Sequence, residues 1–214
     1  MRLKCMYISH TSYCSGWNMD DILSKFHGFY QKAARTNTFP MKENNIKMLD
    51  WDFRKPDMDK HYCIAKNYPL ETIMAPDLYD NTIMSEEWAL QHATILSQYC
   101  QRCILPIHVV PKYISYHEYA YPMGVWDKSK TSFKGTLFPI YKNVTHLLGA
   151  SPHAQYQLAQ YLPNIISTDG NQMFYVAVRF GKYWENGKWA KQKDMPNLDC
   201  FLLSLANVYK MWNK

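Results

Sequence analysis

Four aspartates stand at the ends of predicted strands, where a carboxylate could act as an acid, a base or a nucleophile. In chain order they are Asp50, Asp52, Asp77 and Asp169. The carboxyl ends of parallel strands share one edge of a sheet or barrel, so we expect these side chains to face one mouth. Clustered carboxylates raise each other's pKa, which lets one carry a proton while another stays ionised as a nucleophile. Taken singly, each aspartate is also typical of a helix cap or a turn.

Further polar and small residues near the same strand ends could bind a substrate. With two of the aspartates they form a predicted substrate-binding set of Asp50, Asp52, His10, His108, Gly149, Ser151, Ser167, Gly170 and Asn171. No glycine-rich phosphate loop occurs, which argues against nucleoside triphosphate chemistry.

A metal ion is the alternative partner of the carboxylates. Together with His10 or His108 they could bind a divalent ion, so a metal-dependent hydrolase is a competing function, although no compact His/Asp ligand motif occurs. Cys100 and Cys103 have the spacing of half a zinc site, but the sequence has no second pair. We prefer two buried thiols near a helix end. The sequence therefore predicts no metal and no other cofactor, with zinc at these cysteines as the alternative.

Residues 179–193, which we call the basic arm, interleave positive charge with aromatic rings. Cations contact phosphates and aromatic faces stack on bases, so the arm is a candidate nucleic-acid contact. Asn186-Gly187 predicts a tight turn between two short extended segments. The candidate contact residues are Arg179, Lys182, Tyr183, Trp184, Lys188, Trp189 and Lys191. The alternative is a solvated surface hairpin with no partner.

Composition sets the class of protein. The chain has 214 residues, a formal net charge of +6, 47% hydrophobic and 20% charged residues, which excludes an intrinsically disordered chain. No apolar run approaches the length that spans a bilayer, and the six cysteines are too sparse for a disulfide scaffold. We expect a soluble cytoplasmic protein with reduced thiols and no membrane contact. The positive balance and the 15% aromatic content fit nucleic-acid binding.

The order of predicted elements indicates repeated strand–helix units. Strands are predicted at 3–9, 45–49, 71–75, 104–110, 144–148 and 165–167, and helices at 20–34, 61–67, 85–100, 152–161, 172–180 and 198–212. Such units give an α/β fold with parallel pairing, either an open doubly wound sheet or a barrel. We predict one TIM-barrel-like domain over 1–214. The short chain leaves a complete barrel and an incomplete or compressed one as alternatives. A long Tyr-rich insertion at 111–143 could hide a further strand at 137–141.

Four short motifs in this order resemble the tRNA-guanine transglycosylase superfamily. The resemblance is greatest to its compact phage and bacterial relatives, which place 7-deazaguanine bases into DNA. The motifs are Met48-Leu49-Asp50-x-x-Phe53, Met74-Ala75-Pro76-Asp77, Leu148-Gly149-x-Ser151 and Ser167-x-Asp169-Gly170-x-x-x-Phe174-x-x-Ala177. The chain departs from the superfamily at Trp51-Asp52-Phe53 and at Pro111-Lys112, and it lacks the superfamily's zinc motif.

The resemblance implies a barrel and a base-exchange reaction. Asp169 matches the nucleophile that attacks the anomeric carbon of a guanosine, so that guanine leaves and a 7-deazaguanine base takes its place. Asp77 matches the residue that binds the base and helps to transfer the proton, and Gly149 matches the glycine whose backbone approaches the base. The implied partners are DNA, with RNA as the alternative, and a 7-deazaguanine base, in the host cytoplasm if the protein is phage-encoded. A non-catalytic nucleic-acid-binding module is the third hypothesis.

Overall fold

Eight parallel strands close into a barrel in a computed structural model that describes residues 3–9, 16–43, 45–77, 86–107, 117–122 and 141–214. Each strand pairs with the next along the chain, and the last pairs with the first. The strands are β1 (Cys5–Ser9), β2 (Tyr30–Arg35), β3 (Ile46–Asp50), β4 (Thr72–Met74), β5 (Arg102–Pro106), β6 (Glu118–Pro122), β7 (Val144–Leu148) and β8 (Ser167–Asp169). The predicted TIM-barrel-like α/β fold is confirmed, and the barrel is complete in 214 residues.

Six α-helices lie in the described part of the chain. They are α1 (Met19–Ser24), α2 (Met58–Asn67), α3 (Glu86–Leu96), α4 (Pro152–Ala159), α5 (Gln172–Phe180) and α6 (Asn197–Trp212). Capping residues set where several begin: the Asp57 carboxylate accepts from the Lys60 N–H at 2.9 Å, and Ser151 caps α4 with Pro152 in its first turn. None of these helices has the length and apolar character that crossing a membrane requires.

The alternation of side chains along the strands builds two cores. One fills the barrel and consists of Cys5, Tyr7, Ala33, Met48, Trp51, Met74, Ile104 and Ala120. The intervening residues, such as Met6, Leu49 and Ile73, face outward and pack beneath the helices. Because successive strand residues point to opposite faces, each of the strands β1 to β6 contributes to both cores.

The predicted helix over 20–34 is wrong beyond its first turns. Helix α1 ends at Ser24, and the chain then turns through His27 and Gly28, which have φ values of 52° and 78°. Residues Tyr30–Arg35 form β2, with Ala33 inside the barrel and Tyr30 against the helices. The barrel supplies pairing partners on both sides of this segment, so tertiary pairing outweighs the helical spacing of its apolar residues.

The second missed strand is β6, which lies inside the predicted insertion 111–143. Its Ala120 faces the barrel and its Tyr119 packs against the outer layer, which is the alternation of a strand. The candidate strand at 137–141 and most of the insertion lie outside the described residues.

Two other strand limits differ from prediction in a way that matters for the site. Strand β5 begins at Arg102, two residues before the predicted strand, which places this arginine in the barrel. Strand β8 starts at Ser167 and ends at Asp169. Asp169 and Asp50 are therefore the last residues of their strands rather than loop residues.

The outer core gives a test of the packing. Phe201 is fully buried on α6 and contacts the rings of Trp17 and Phe174. Phe201→Ala should lower the free energy of unfolding by about 3–5 kcal/mol, measured by urea denaturation, because it leaves a cavity. The matched control Phe180→Ala, at a ring that is 48% exposed, should cost less than about 1 kcal/mol. Equal losses in the two variants would contradict this packing.

Candidate active site

Three of the predicted carboxylates, Asp50, Asp77 and Asp169, lie at the carboxyl-terminal mouth of the barrel, where two of them influence the third electrostatically. Burial, and after it the negative charges of Asp169 and Asp77, raise the pKa of Asp50 to about 8 against the opposing effect of the Arg35 guanidinium. Arg35 Nε lies 3.4 Å from Asp50 Oδ2, and the arginine side chain itself is 45% exposed. The structure therefore brings Asp77 and Asp169 within electrostatic reach of Asp50, which is protonated at neutral pH.

A buried histidine braces the strand ends that carry two of these carboxylates. Burial lowers the pKa of His61 to about 4, so the ring is neutral. Its Nε2–H donates to the Met74 carbonyl, three residues before Asp77, over 3.1 Å. Trp51, the neighbour of Asp50, meets the His61 ring edge to face with centroids 5.2 Å apart. This contact ties the end of β3 to the end of β4.

Asp169 is held by the turn that follows β7. The backbone N–H of Gly149 donates to Asp169 Oδ1 at 2.6 Å. Gly149 and Ala150 have φ values of 75° and 69°, a left-handed pair that turns the chain so that this N–H faces β8. The buried Gln155 amide locks the arrangement, since its Nε2 donates to the carbonyls of Gly149 at 2.6 Å and of Asp169 at 2.5 Å.

A polar chain runs through the barrel beneath Asp169. Of its members only Ser167 was predicted as a site residue, for substrate binding; Arg102, Glu118 and His146 were not predicted. Arg102 pairs with Glu118 through two guanidinium nitrogens, and its Nη1 donates to Ser167 Oγ at 3.1 Å. Ser167 Oγ lies 2.8 Å from His146 Nδ1, and His146 Nε2 lies 3.8 Å from Asp169 Oδ1. The alternation of inward and outward side chains along a strand could have revealed this chain in the sequence, because Arg102, Glu118 and Ser167 occupy inward positions of their strands.

Three of the remaining substrate-binding candidates, Asp52, Ser151 and Gly170, make hydrogen bonds that support turns, a helix end and strand pairing. Asp52 accepts hydrogen bonds from Asn37 Nδ2 at 3.2 Å and from the Arg54 N–H at 3.3 Å, which is the turn alternative. Ser151 accepts the Ala154 N–H as a helix cap, and the Gly170 N–H donates to the Tyr7 carbonyl at 3.1 Å. Asn171 is the residue before α5 and makes no side-chain capping bond. His10 and His108 lie outside the described residues.

No metal site is formed by the residues that the structure describes: nowhere among them do three His, Cys, Asp or Glu side chains come together as a ligand set. The Cys100–Cys103 pair is two free thiols. The Cys103 thiol donates to Cys100, which lowers the pKa of Cys100 and raises that of Cys103.

The basic arm forms the predicted hairpin. Strand β9 (Tyr183–Glu185) pairs antiparallel with β10 (Lys188–Ala190), and the turn residues Asn186 and Gly187 have φ values of 48° and 86°. A Cβ at Gly187 would lie 3.3 Å from His153 Nδ1. His153 is in the first turn of α4, which starts just after β7, so the hairpin tip lies beside the mouth.

The contact residues predicted on the arm divide into two groups. Trp184 is buried, with its backbone N–H donating to Ser204 Oγ at 2.8 Å, so its ring has no free face for a base, and the nucleic-acid role predicted for it is wrong. Tyr183 and Trp189 also pack against the core. Arg179, Lys188 and Lys191 are exposed and Lys182 is half-buried, and Arg179 lies over the exposed rings of Tyr175 and Phe180.

Comparisons with known proteins identify a family without an assigned activity. No curated protein matches the sequence. A solved structure provisionally described as a fructose-1,6-biphosphate aldolase from Coccidioides immitis is similar with a TM-score of 0.48 and 10% identity, over 98% of this chain and 87% of that one. Similarity at this level carries no argument about activity. A family of unknown function, DUF6610, matches residues 25–213, and the chain therefore belongs to the DUF6610 family.

Proposed function

We propose that this protein exchanges guanine in DNA for a 7-deazaguanine base, with Asp169 as the nucleophile. The observation that carries the proposal is that Asp77 and Asp169 lie within electrostatic reach of Asp50 at one mouth, where the pKa of Asp50 is about 8. A carboxylate that attacks and a carboxyl that supplies a proton are the two groups that breaking an N-glycosidic bond requires. The identity of the base and of the nucleic acid rests on the motif resemblance.

Asp169 is suited to the covalent step because one of its oxygens is already fixed. The Gly149 N–H holds Oδ1, and this donor stabilises an ionised carboxylate and sets its orientation. In the proposed first step a carboxylate oxygen bonds to C1′ of the sugar while the bond from C1′ to the base nitrogen breaks. In the second step the nitrogen of the incoming base bonds to C1′, and the Asp169 carboxylate leaves.

Asp50 is suited to carry the proton. Its raised pKa, caused first by burial and next by Asp169, keeps it protonated at neutral pH. It gives this proton to the departing guanine and receives one from the ring nitrogen of the incoming base, so the enzyme returns to its starting state. This evidence favours Asp50 over Asp77 as the acid, and it leaves Asp77 the base-binding role that the resemblance implies.

Among the described atoms the α-carbon of Gly149 faces open space, and we place the base there. A Cβ at this glycine would meet no described atom within 4 Å. The Gly149 N–H is engaged by Asp169 and its carbonyl by Gln155, so the base would lie against the peptide plane. A base inside a duplex has to be flipped out or unpaired to reach this position. The exposed lysines of the hairpin beside the mouth supply a contact for the DNA backbone.

Asp169→Ala should abolish base exchange, because no other group then forms the bond to C1′. The measurement is mass-spectrometric nucleoside analysis of a DNA duplex incubated with a 7-deazaguanine base, alongside circular dichroism and DNA binding, which should persist. Asp52→Asn is the matched control and should remain active, since Asp52 serves a turn. Exchange by Asp169→Ala would refute the assignment.

Two other outcomes would favour the alternative functions. Stoichiometric metal in the purified protein that is lost in Asp50→Ala or Asp77→Ala would favour a metal-dependent hydrolase. DNA binding without exchange, unchanged when the aspartates are replaced, would favour a non-catalytic nucleic-acid-binding module.

Asp50→Asn should change how stability depends on pH. The ordinary pKa of Asp50 is 3.8 and its value in the fold is about 8, so from pH 4 to 8 the unfolded chain releases a proton that the folded protein keeps. The free energy of unfolding of wild type should therefore fall relative to that of the variant between pH 4 and 8, and the difference should stay constant above pH 8. The fall is at most about 1.4 kcal/mol for each unit of pKa difference, and screening by solvent reduces it.

Urea unfolding of both proteins between pH 4 and 9 measures this difference. Exchange by wild type should also fall as the pH rises through 8, since the acid is then lost. Arg35→Met serves as a second variant and should extend the window to higher pH, because Arg35 opposes the shift. Parallel pH profiles for wild type and Asp50→Asn would contradict a perturbed Asp50.

Removal of the exposed hairpin lysines should weaken DNA binding through the phosphates. The double variant Lys188→Ala/Lys191→Ala should bind less tightly, and the slope of log affinity against log salt should become shallower by about 0.9 for each phosphate that is no longer neutralised. Fluorescence anisotropy at several salt concentrations measures both quantities. Lys42→Ala, at an exposed lysine in the β2–β3 connection, is the control. An unchanged salt slope in the double variant would rule out the hairpin as a DNA-binding surface.

A further inference from the structure

We propose that His146 is a positioning residue for Asp169, held by Ser167 and Arg102 in the tautomer that carries its proton on Nε2 and directs it at Asp169 Oδ1. The reaction in which this matters rests on the proposed function. The tautomer and its partners rest on the geometry of the barrel alone.

The hydrogen-bond chain fixes the tautomer. A guanidinium only donates, so Ser167 Oγ accepts from Arg102 Nη1 at 3.1 Å. Among the described atoms Ser167 Oγ has no partner besides Arg102 Nη1 and His146 Nδ1. Its own proton therefore points at His146 Nδ1, which lies 2.8 Å away, because in the opposite arrangement this buried hydroxyl would have no acceptor. Burial lowers the pKa of His146, and a neutral ring whose Nδ1 accepts carries its single proton on Nε2.

Arg102 is itself fixed at the amino-terminal end of the barrel. Glu118 accepts from Arg102 Nε at 3.0 Å and from Nη2 at 2.6 Å, and Thr145 donates to the same carboxylate at 2.5 Å. A guanidinium clamped by a carboxylate has little freedom to rotate, so the Nη1 donor is constrained to point at Ser167. The order of donation thus runs in one direction, from Arg102 through Ser167 to the histidine.

The Nε2–H group of His146 faces the carboxylate of Asp169. The side chain is fully buried, and Nε2 has no hydrogen-bond partner among the described atoms. The nearest carboxylate oxygen is Asp169 Oδ1 at 3.8 Å, beyond a hydrogen bond but within strong electrostatic reach. A buried N–H without a partner is costly, and catalytic hydrogen bonds that are long in an empty site tighten in the complex. Tightening here adds a second donor to the oxygen that Gly149 already holds.

The test compares two amides at position 146. In His146→Gln the amide nitrogen reaches the position of Nε2 and keeps a donor facing Asp169, whereas in His146→Asn it reaches only the position of Nδ1. His146→Asn should lower kcat for base exchange about 10- to 100-fold, the usual loss when a supporting hydrogen-bond partner is removed, with KM for the base unchanged. His146→Gln should recover most of that loss. Wild-type kcat in His146→Asn, or equal losses in both variants, would overturn the proposal.

A second measurement needs no substrate. Two-bond ¹⁵N–¹H correlation spectra of histidine-labelled wild type, with the His146 signals assigned by their loss in His146→Gln, should show the proton on Nε2 and a bare Nδ1. Ser167→Ala should redistribute the proton between the two nitrogens. A proton found on Nδ1 in wild type would overturn the proposal even if exchange is observed. Absence of exchange in wild type would refute the proposed function, and the spectra would still decide the tautomer.

Discussion

The pairing of β8 with both β7 and β1 is the constraint on which the site depends. Thr168 and Asp169 stand opposite Met6 and Tyr7 of β1, and the Gly170 N–H extends this pairing with a bond of 3.1 Å to the Tyr7 carbonyl. Side chains alternate along a strand, so a slip of one residue would turn Asp169 toward the helices and Thr168 into the barrel. Barrel closure therefore fixes both the inward direction of Asp169 and its distance from the Gly149 N–H.

The charged side chains inside the barrel lie at its two ends. Arg102 and Glu118 pair at the amino-terminal end, while Asp50, Asp77 and Asp169 gather at the other with Arg35 as a partner. Between them lies a layer of neutral side chains, including Tyr7, whose hydroxyl bonds to Thr72 at 2.9 Å. Isolated charge in this layer would be costly, and the neutral His146 and Ser167 are the kind of group that can link the two ends there. The same low polarity keeps Asp50 protonated at the carboxyl-terminal end of the barrel.

Local patterns in the sequence predicted those parts of the fold that local chemistry determines. Caps and termini set α2, α4 and α5 close to their predicted limits, and the Asn-Gly turn gave the hairpin. Strands β2 and β6 were missed because their local sequence indicates something else. Phe26, Phe29 and Tyr30 have the spacing of a helix face, and β6 lies in a Tyr-rich stretch without a clear alternation of apolar and polar residues.

The candidate site was predictable to a similar degree. The strand-end rule led to Asp50, Asp77 and Asp169, but it could not separate them from Asp52, which differs only in its contacts with Asn37 and Arg54. Gln155 and His146 were missed because their roles depend on bonds that cross between strands. Such bonds cannot be predicted from the sequence until the register of the barrel strands is known.

The geometry of the hairpin limits how it could contact DNA. Trp184 and Trp189 are a cross-strand pair, so their rings share one face, and the buried Trp184 shows that this face is turned to the protein. Lys188 occupies the opposite face. The aromatic residues therefore anchor the hairpin, and the lysines are what it offers to a partner. Contacts from lysines to phosphates position a nucleic acid without reading its bases. In the proposed function, discrimination among bases would therefore fall to the carboxylates and the peptide surface at the mouth of the barrel.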